Sequence, residues 1–261
     1  MSRERILFVP GFFNHNEAGA AERTRIPLIQ KLRGYDVTSG SYEGESIPDF
    51  VEDLRRRYGR HTGQWFTAIV GYSSGLPLAL EAFNDWPVTF IGVNPVLPTG
   101  LTWRGFLTCW RTLFGPFNKG ALRWALRLDR AEVGVPTVGH ALDFFFGGNQ
   151  DHLDVAKYVA ERCHPTAFQA CLDLSFPGGT LGAPIARPNA QTLRRTYVLC
   201  GADDQVVTAE EWLAAEPLLV GRIRVCKRTP YYGGCYHGSL LYNENWGNIA
   251  AGRIIEILTG S

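Results

Sequence analysis

The chain has 261 residues, 45% of them hydrophobic, which is enough to bury one large core or a core with an insertion. Its 26 basic and 25 acidic residues give a net charge of +1 at pH 7, so the overall charge favours neither nucleic acid nor a membrane surface as a partner. No stretch approaches the ~18 apolar residues of a membrane span and no leader pattern precedes the first apolar run, so we expect a cytoplasmic protein.

Six short runs rich in Val, Ile, Phe and Tyr predict β-strands. In chain order they cover residues 6–10, 36–41, 66–71, 88–94, 196–201 and 222–229. Most are apolar throughout, as expected for parallel strands that are covered on both faces. Helical patterns occur between and after them, at 47–58, 76–83 and 248–258. Alternating strands and helices predict an α/β fold with a mainly parallel, doubly wound sheet of about six strands.

About a hundred residues separate the fourth predicted strand from the fifth, far more than a crossover connection needs. We interpret residues 99–165 as a helical insertion between two parts of the core, 1–98 and 166–261. Amphipathic patterns predict two helices within 99–130. A stretch rich in glycine and aromatic residues, HALDFFFGGN, then leads to helical patterns over 151–163 and 166–174.

The six cysteines are scattered along the chain and form no C-x-x-C pair. Two of them lie inside strand-like runs, where buried free thiols are common. We therefore expect reduced, structural cysteines and no zinc site. Neither a metal nor a cofactor is predicted.

Residues 69–78 read IVGYSSGLPL, where the third predicted strand gives way to a helix. One interpretation is a plain turn, because Gly and Ser are common turn residues. The segment GYSSG also matches G-x-S-x-G, in which the central serine occupies a strained turn between strand and helix. The flanking glycines let the two elements pass close together. On this interpretation Ser73 is the candidate nucleophile.

A serine nucleophile needs a base, which a carboxylate in turn orients. Asp203 and Asp204 directly follow the fifth predicted strand, and His237 lies in a glycine-flanked loop after the sixth. Serine, acid and histidine in this order accompany a G-x-S-x-G turn. Consecutive side chains diverge, so one aspartate at most faces the imidazole. Alternatively, both acids form a turn and cap the helix that begins near Thr208.

Acyl transfer also requires hydrogen-bond donors for the oxyanion of its tetrahedral intermediate. The first predicted strand continues into FVPGFFNHNE, where Gly11 allows a tight turn. We expect the backbone N–H groups of Phe12 and Ser74 to be these donors.

Four stretches together resemble the α/β-hydrolase family: VPGF, GYSSG, GADDQVV and YHGS. The resemblance extends over nearly the whole chain and implies an α/β-hydrolase fold with a cap after the fourth strand. Members commonly read G-x-x-D-x-x-V after the penultimate strand, which matches Gly201, Asp204 and Val207. The resemblance therefore implies a triad in which Asp204, rather than Asp203, is the acid.

Within this family, the first half of the chain is similar to the thioesterases of polyketide and nonribosomal peptide assembly. The shared stretches are ILFVPG, GYSSG and ALEAF. Two positions depart from the thioesterase pattern. Leu76 stands where a second glycine is usual, and Asn94 stands where many of those enzymes carry the triad acid.

The triad predicts a serine hydrolase that cleaves an ester or thioester of an apolar or aromatic acyl group through an acyl-enzyme. Alternatives are a cyclase, an acyltransferase or a lyase with the same residues, or a non-catalytic ligand receptor. Aromatic residues predict the acyl pocket, although they also suit the core of the cap. The main candidates are Phe13, Trp103, Phe106, Trp110 and Tyr236. Further aromatic candidates in the insertion are Phe114, Phe117, Trp124 and Phe144 to Phe146.

Residues 99–130 carry six basic residues and one acid. This bias suits an acyl-carrier protein or a coenzyme A thioester as partner, although a solvated helix face is the more common cause of such a bias. A small ester or thioester is the predicted substrate, and nucleic acid is not expected.

Overall fold

Six parallel strands form the central sheet of the computed structural model, which is described for residues 4–15, 23, 25–127, 131–178, 181–183, 185–228 and 231–260. The strands are β1 Arg5–Val9, β2 Asp36–Ser39, β3 Ala68–Tyr72, β4 Thr89–Val93, β7 Thr196–Gly201 and β8 Ile223–Cys226. Their order across the sheet is β2-β1-β3-β4-β7-β8. The prediction of a mainly parallel sheet of about six strands is confirmed, although residue 229 of the last predicted run lies outside the described residues.

Helices connect and cover these strands. In chain order they are α1 Pro27–Lys31, α2 Ile47–Tyr58, α3 Gly75–Ala82, α4 Trp103–Thr112, α5 Phe114–Ala125, α6 Val138–Phe146, α7 Leu153–Ala160, α8 Phe168–Ser175, α9 Ala190–Leu193, α10 Ala209–Ala215, α11 Ser239–Tyr242 and α12 Glu244–Thr259. The predicted helix 47–58 has these same bounds, because Ser46 and Asp49 form a capping box at its start. Every residue of β3 is buried, as its continuous apolar character predicts.

The long segment between β4 and β7 contains α4 to α9 and a short antiparallel pair, β5 Glu132–Val133 with β6 Thr166–Ala167. The predicted pair of helices within 99–130 corresponds to α4 and α5. Helix α6 was not predicted, because aromatic residues have modest helix propensity and four of its nine residues are Phe or Gly. Burial of Phe145 and Phe146 stabilises it, and Gly147 ends it with a φ of 60°.

The turn between β3 and α3 brings a strand and a helix into direct backbone contact. A Cβ atom on Gly71 would lie 2.5 Å from the Leu76 Cα, and one on Gly75 would lie 2.2 Å from the Val9 carbonyl oxygen. Both distances are far below van der Waals contact, so neither position accepts a side chain without moving backbone. Two glycines are therefore a steric requirement of this turn.

We expect Gly75→Ala to lower the free energy of unfolding by about 3 kcal/mol, because the new methyl group overlaps the β1 backbone. Gly252→Ala is the matched control, since Gly252 lies in α12 with no atom within 4 Å of its would-be Cβ. That change should raise stability by about 0.5–1 kcal/mol through helix propensity. Urea unfolding of both variants measures the difference, and a Gly75→Ala protein as stable as wild type would refute the steric argument.

Candidate active site

Ser73 sits at the tip of the turn between β3 and α3, at the carboxyl end of the sheet. Its φ of 52° is a left-handed conformation that non-glycine residues rarely adopt. Hydrogen bonds hold it there: the Ser73 N–H donates to the Val93 carbonyl at 3.1 Å, and the Val96 N–H donates to the Ser73 carbonyl at 3.1 Å. The side chain is half-buried, so its hydroxyl stays accessible at a rigid, strained position.

His237 connects Ser73 to Asp204 in a chain of hydrogen bonds. The distance from His237 Nε2 to Ser73 Oγ is 2.9 Å, and that from His237 Nδ1 to Asp204 Oδ2 is also 2.9 Å. Both His237 and Asp204 are 1% exposed. The Asp204 carboxylate fixes the tautomer in which Nδ1 carries the proton, so that Nε2 is free to accept the proton of the serine hydroxyl.

Of the two neighbouring aspartates, Asp204 alone contacts the imidazole among the described residues. Its second oxygen, Oδ1, accepts the Val206 N–H at 2.7 Å. Asp203 instead accepts the Cys235 N–H through Oδ2 at 2.8 Å and donates its own N–H to the Cys235 carbonyl at 3.0 Å. Asp203 thus ties the histidine loop to the end of β7.

The cap of α10 does not use either aspartate. Thr208 accepts the Glu211 N–H at 3.2 Å, and Glu211 accepts the Thr208 N–H at 2.7 Å, which completes a capping box. The interpretation in which both acids serve only as turn and cap residues is therefore wrong.

The Phe12 N–H lies beside the strained turn but already has a partner. It donates to Ser74 Oγ at 2.9 Å, and the Ser74 hydroxyl, 1% exposed, also hydrogen-bonds to the Tyr42 hydroxyl. Tyr42 in turn donates to the Pro10 carbonyl at 2.9 Å, and burial raises the pKa of its phenol, which keeps it neutral. The Ser74 N–H has no hydrogen-bond partner among the described residues. The sequence predicted a role only for the backbone N–H of Ser74 and did not indicate the hydrogen bonds of its side chain.

Phe13 connects this loop to the segment where the insertion rejoins the core. Its φ is 70°, again in the left-handed region. The Phe13 N–H donates to Thr166 Oγ1 at 3.0 Å, and its carbonyl accepts the His164 N–H at 2.7 Å. These two bonds hold the strained conformation in place.

A cavity opens next to Ser73, with about 520 Å³ of space free of protein atoms, part of it open to solvent. Its lining is mostly apolar, and the few polar side chains include the two serines of the turn. The lining residues are Phe12, Phe13, Tyr72, Ser73, Ser74, Val96, Leu101, Cys109, Leu113, Phe117, Phe144, Phe145, Cys171, Leu174, Ser175 and Val206. The site thus combines a hydrogen-bonded serine–histidine pair with an apolar space beside it.

Solved structures of other proteins share this architecture. An extracellular α/β-hydrolase from a Paenibacillus species aligns over 97% of this chain and 98% of its own, with 12% identity and a TM-score of 0.58. A carboxylesterase of the thaumarchaeon Nitrososphaera gargenis aligns over 99% and 92%, with 14% identity and a TM-score of 0.62. The chain has the α/β-hydrolase fold.

A methylesterase from Arabidopsis is a further structure with the α/β-hydrolase fold, at 12% identity and a TM-score of 0.59 over 99% of this chain and 100% of its own. No protein-family model and no curated protein sequence matches the chain. The predicted fold is therefore confirmed by likeness of structure at low sequence identity, which carries no substrate with it.

Of the five main aromatic candidates for the acyl pocket, the cavity lining includes Phe13. Of the further candidates in the insertion, it includes Phe117, Phe144 and Phe145. Trp103, Phe106 and Trp110 do not line it. Their rings form a row along α4, stacked for Trp103 and Phe106 with centroids 5.5 Å apart, and tilted for Phe106 and Trp110 with centroids 6.1 Å apart. Trp103 is 69% exposed. The amphipathic period located these residues on one face of α4 without indicating which face meets the cavity.

Tyr236 also lies outside the cavity lining, although it precedes His237 in the chain. Its ring packs edge-on against His152, and its N–H donates to Ser239 Oγ at 2.9 Å. The aromatic residues of α6 take the pocket position instead: Phe144 contacts His237 edge-on, with ring centroids 5.8 Å apart.

Asn94 is a further residue of the site that the sequence noted only for the acid it lacks. Its side-chain Nδ2 donates to the carbonyls of Tyr236 and His237, and its Oδ1 accepts the Gly201 N–H. Asparagine adopts a left-handed backbone more readily than most residues. Its place just after a buried strand is the one signal in the sequence that could have indicated this role.

The described residues offer neither a metal site nor a membrane-spanning helix. Within the described ranges, no group of three or more His, Cys, Asp or Glu side chains is arranged to hold a metal ion. In the same part of the chain, no helix has both the length and the apolar character needed to cross a bilayer.

The cavity thiols should be unreactive in the native protein. Burial raises the pKa of Cys109 to about 12 and also raises the pKa of Cys171, so the thiolate fraction of Cys109 at pH 8 is on the order of 10⁻⁴. We expect iodoacetamide at pH 8 to modify Cys109 at least about 100-fold more slowly in native protein than in urea. Peptide mass spectrometry measures both rates, and equal rates would show that the cavity wall is open to water.

Proposed function

We propose that the protein is a serine hydrolase that cleaves esters of apolar acyl groups through an acyl-enzyme. One observation carries the proposal: the hydrogen-bonded chain from Asp204 through His237 to Ser73 ends at an apolar cavity. A protein that only binds a ligand does not require a buried Asp–His pair hydrogen-bonded to a strained serine. The fold by itself does not distinguish an enzyme from a receptor, whereas this arrangement of side chains favours an enzyme.

In the proposed acylation step, Ser73 Oγ attacks the ester carbonyl carbon while its proton passes to His237 Nε2. The Nδ1–H of the imidazole remains hydrogen-bonded to Asp204, which stabilises the imidazolium as it forms. The imidazolium then donates the Nε2 proton to the oxygen of the leaving alcohol, and the acyl group stays on Ser73. Deacylation repeats these transfers with water in place of the serine hydroxyl.

The proposed oxyanion donors are the N–H groups of Phe12 and Ser74. In the free protein the Phe12 N–H donates to the neutral Ser74 hydroxyl at 2.9 Å. An oxyanion forms the stronger, charge-assisted hydrogen bond, so it draws this donor away from the hydroxyl as negative charge develops. The Ser74 N–H has no partner in the described structure to displace.

The cavity lining supports an apolar acyl group as the substrate class, because a charged group would lose its hydration among these side chains. The structures with the same fold include a carboxylesterase and a methylesterase, which supports an ester over other acyl compounds. No observation favours a cyclase, an acyltransferase, a lyase or the thioesterase subgroup. A carrier protein or coenzyme A thioester as partner, like cytoplasmic location, stays a prediction.

The cap is proposed with the predicted bounds, 99–165, between core segments 1–98 and 166–261. Its supporting feature is the β5–β6 pair, in which Val133 faces Thr166 and Glu132 faces Ala167. This pairing closes the insertion against the first residues of the returning core.

A fluorophosphonate probe tests the proposal directly, because it forms a covalent bond only with an activated serine. We expect stoichiometric labelling of wild type, and none of Ser73→Ala or His237→Ala. On a p-nitrophenyl ester, Ser73→Ala should lower kcat by on the order of 10⁶. A folded wild-type protein that does not label, or a Ser73→Ala variant within tenfold of wild type, would overturn the assignment.

The two adjacent aspartates offer a matched pair. We expect Asp204→Asn to lower kcat by about 10⁴-fold, because an amide does not hold the imidazole in the required tautomer. Asp203→Asn should stay within about tenfold of wild type, since its amide oxygen can still accept the Cys235 N–H. Steady-state kinetics on the same ester compares them, and equal losses would contradict the assignment of Asp204.

A further inference from the structure

Asn94 directly follows β4 and is 1% exposed, with a φ of 43°. Its side-chain amide makes three hydrogen bonds, all of them to backbone groups. Nδ2 donates to the carbonyls of Tyr236 at 3.0 Å and His237 at 2.8 Å, and Oδ1 accepts the Gly201 N–H at 2.6 Å. The reverse orientation of the amide would set its oxygen against two carbonyls, so the contacts fix which atom is which.

These contacts join the two parts of the chain that carry the acid and the base. Gly201 is the last residue of β7, three positions before Asp204, and the two carbonyls belong to the loop that ends in His237. The Asn94 N–H extends the same link by donating to the Leu199 carbonyl at 2.8 Å. One buried side chain therefore relates the position of the acid to that of the base.

The histidine loop lies directly against the end of β7, without side chains between them. A Cβ on Gly201 would be 2.3 Å from the Cys235 carbonyl oxygen. A second donor supports the same loop, since the Tyr72 hydroxyl lies 3.3 Å from the His237 carbonyl. With the loop seated this closely, a small shift of its backbone moves the imidazole relative to both Asp204 and Ser73.

We propose that Asn94 is a positioning residue, which sets the separation between Asp204 and His237 and so holds Nε2 at Ser73 Oγ. The inference rests on the proposed hydrolase function and adds a residue to that site. The amide is required because a carboxylate has no hydrogen to donate and would face two carbonyl oxygens. Aspartate at this position would be a buried charge without a counterion.

The same contacts separate this role from that of an alternative triad acid. Both hydrogens of Nδ2 are directed at backbone carbonyls, whereas Asp204 is the group at His237 Nδ1. Asn94 therefore acts on the backbone of the histidine and leaves its ring to Asp204.

The test compares Asn94→Ala with Thr192→Val in the full chain. Thr192 is likewise fully buried and its hydroxyl donates to the Asn84 carbonyl, but it lies before the start of β7, at the other end of the sheet. We expect Asn94→Ala to lower kcat on a p-nitrophenyl ester by about 10- to 100-fold with KM within twofold, as for misplaced catalytic groups. Thr192→Val should lower the melting temperature with kcat unchanged.

Three further results decide the matter. A loss of stability in Asn94→Ala with kcat within twofold of wild type would overturn the proposal, because Asn94 would then be only structural. Asn94→Asp in an Asp204→Asn background should give no recovery, and any gain over Asp204→Asn would make position 94 an acid site instead. If Asn94→Ala does not fold, Asn94→Ser, which is too short to reach both carbonyls, must show the same fall in kcat.

The fluorophosphonate probe separates failure of this inference from failure of the proposed function. Labelling of wild type but equal labelling rates in wild type and Asn94→Ala would overturn the role of Asn94 alone. Absence of labelling in folded wild type would remove the hydrolase function on which the inference rests.

Discussion

The close approach of α3 to the backbone of β1 is the constraint on which the rest of the site depends. Gly71 and Gly75 leave room for strand and helix to touch, and Ser73, midway between them, turns through a left-handed conformation. Ser73 is held at that point by backbone hydrogen bonds on both sides. The strain of one residue is thus offset by the packing of the whole central sheet, which keeps the hydroxyl fixed before any ligand binds.

From this turn, the site extends along the carboxyl ends of neighbouring parallel strands. β1 contributes the loop with Phe12, β4 contributes Asn94, and β7 contributes the acid. Strand order brings these positions together although they are far apart in the chain. Open parallel sheets bind ligands at this edge because all the strand ends, with their loops, meet there.

The sequence predicted those parts that depend on local chemistry. Continuous apolar runs predicted six strands, and the spacing of serine, acid and histidine predicted the residues that prove to be hydrogen-bonded. It did not predict which face of α4 meets the cavity, since Trp103 suits an apolar pocket and a surface equally by composition. It also missed the side-chain roles of Ser74 and Asn94, because their partners lie in distant segments. Most of those partners are backbone groups, which have no sequence signature.

The two hydrogen bonds of Phe13 have a consequence for any attempt to make a smaller protein from this one. Its N–H and carbonyl are both engaged by the segment that returns from the insertion, through Thr166 and His164. A deletion that excised the insertion and its return would leave a left-handed phenylalanine without either partner, and the loop would relax toward an ordinary backbone conformation. The insertion is therefore part of the scaffold of the loop beside Ser73, and a minimal version of this chain has to retain residues 164–166.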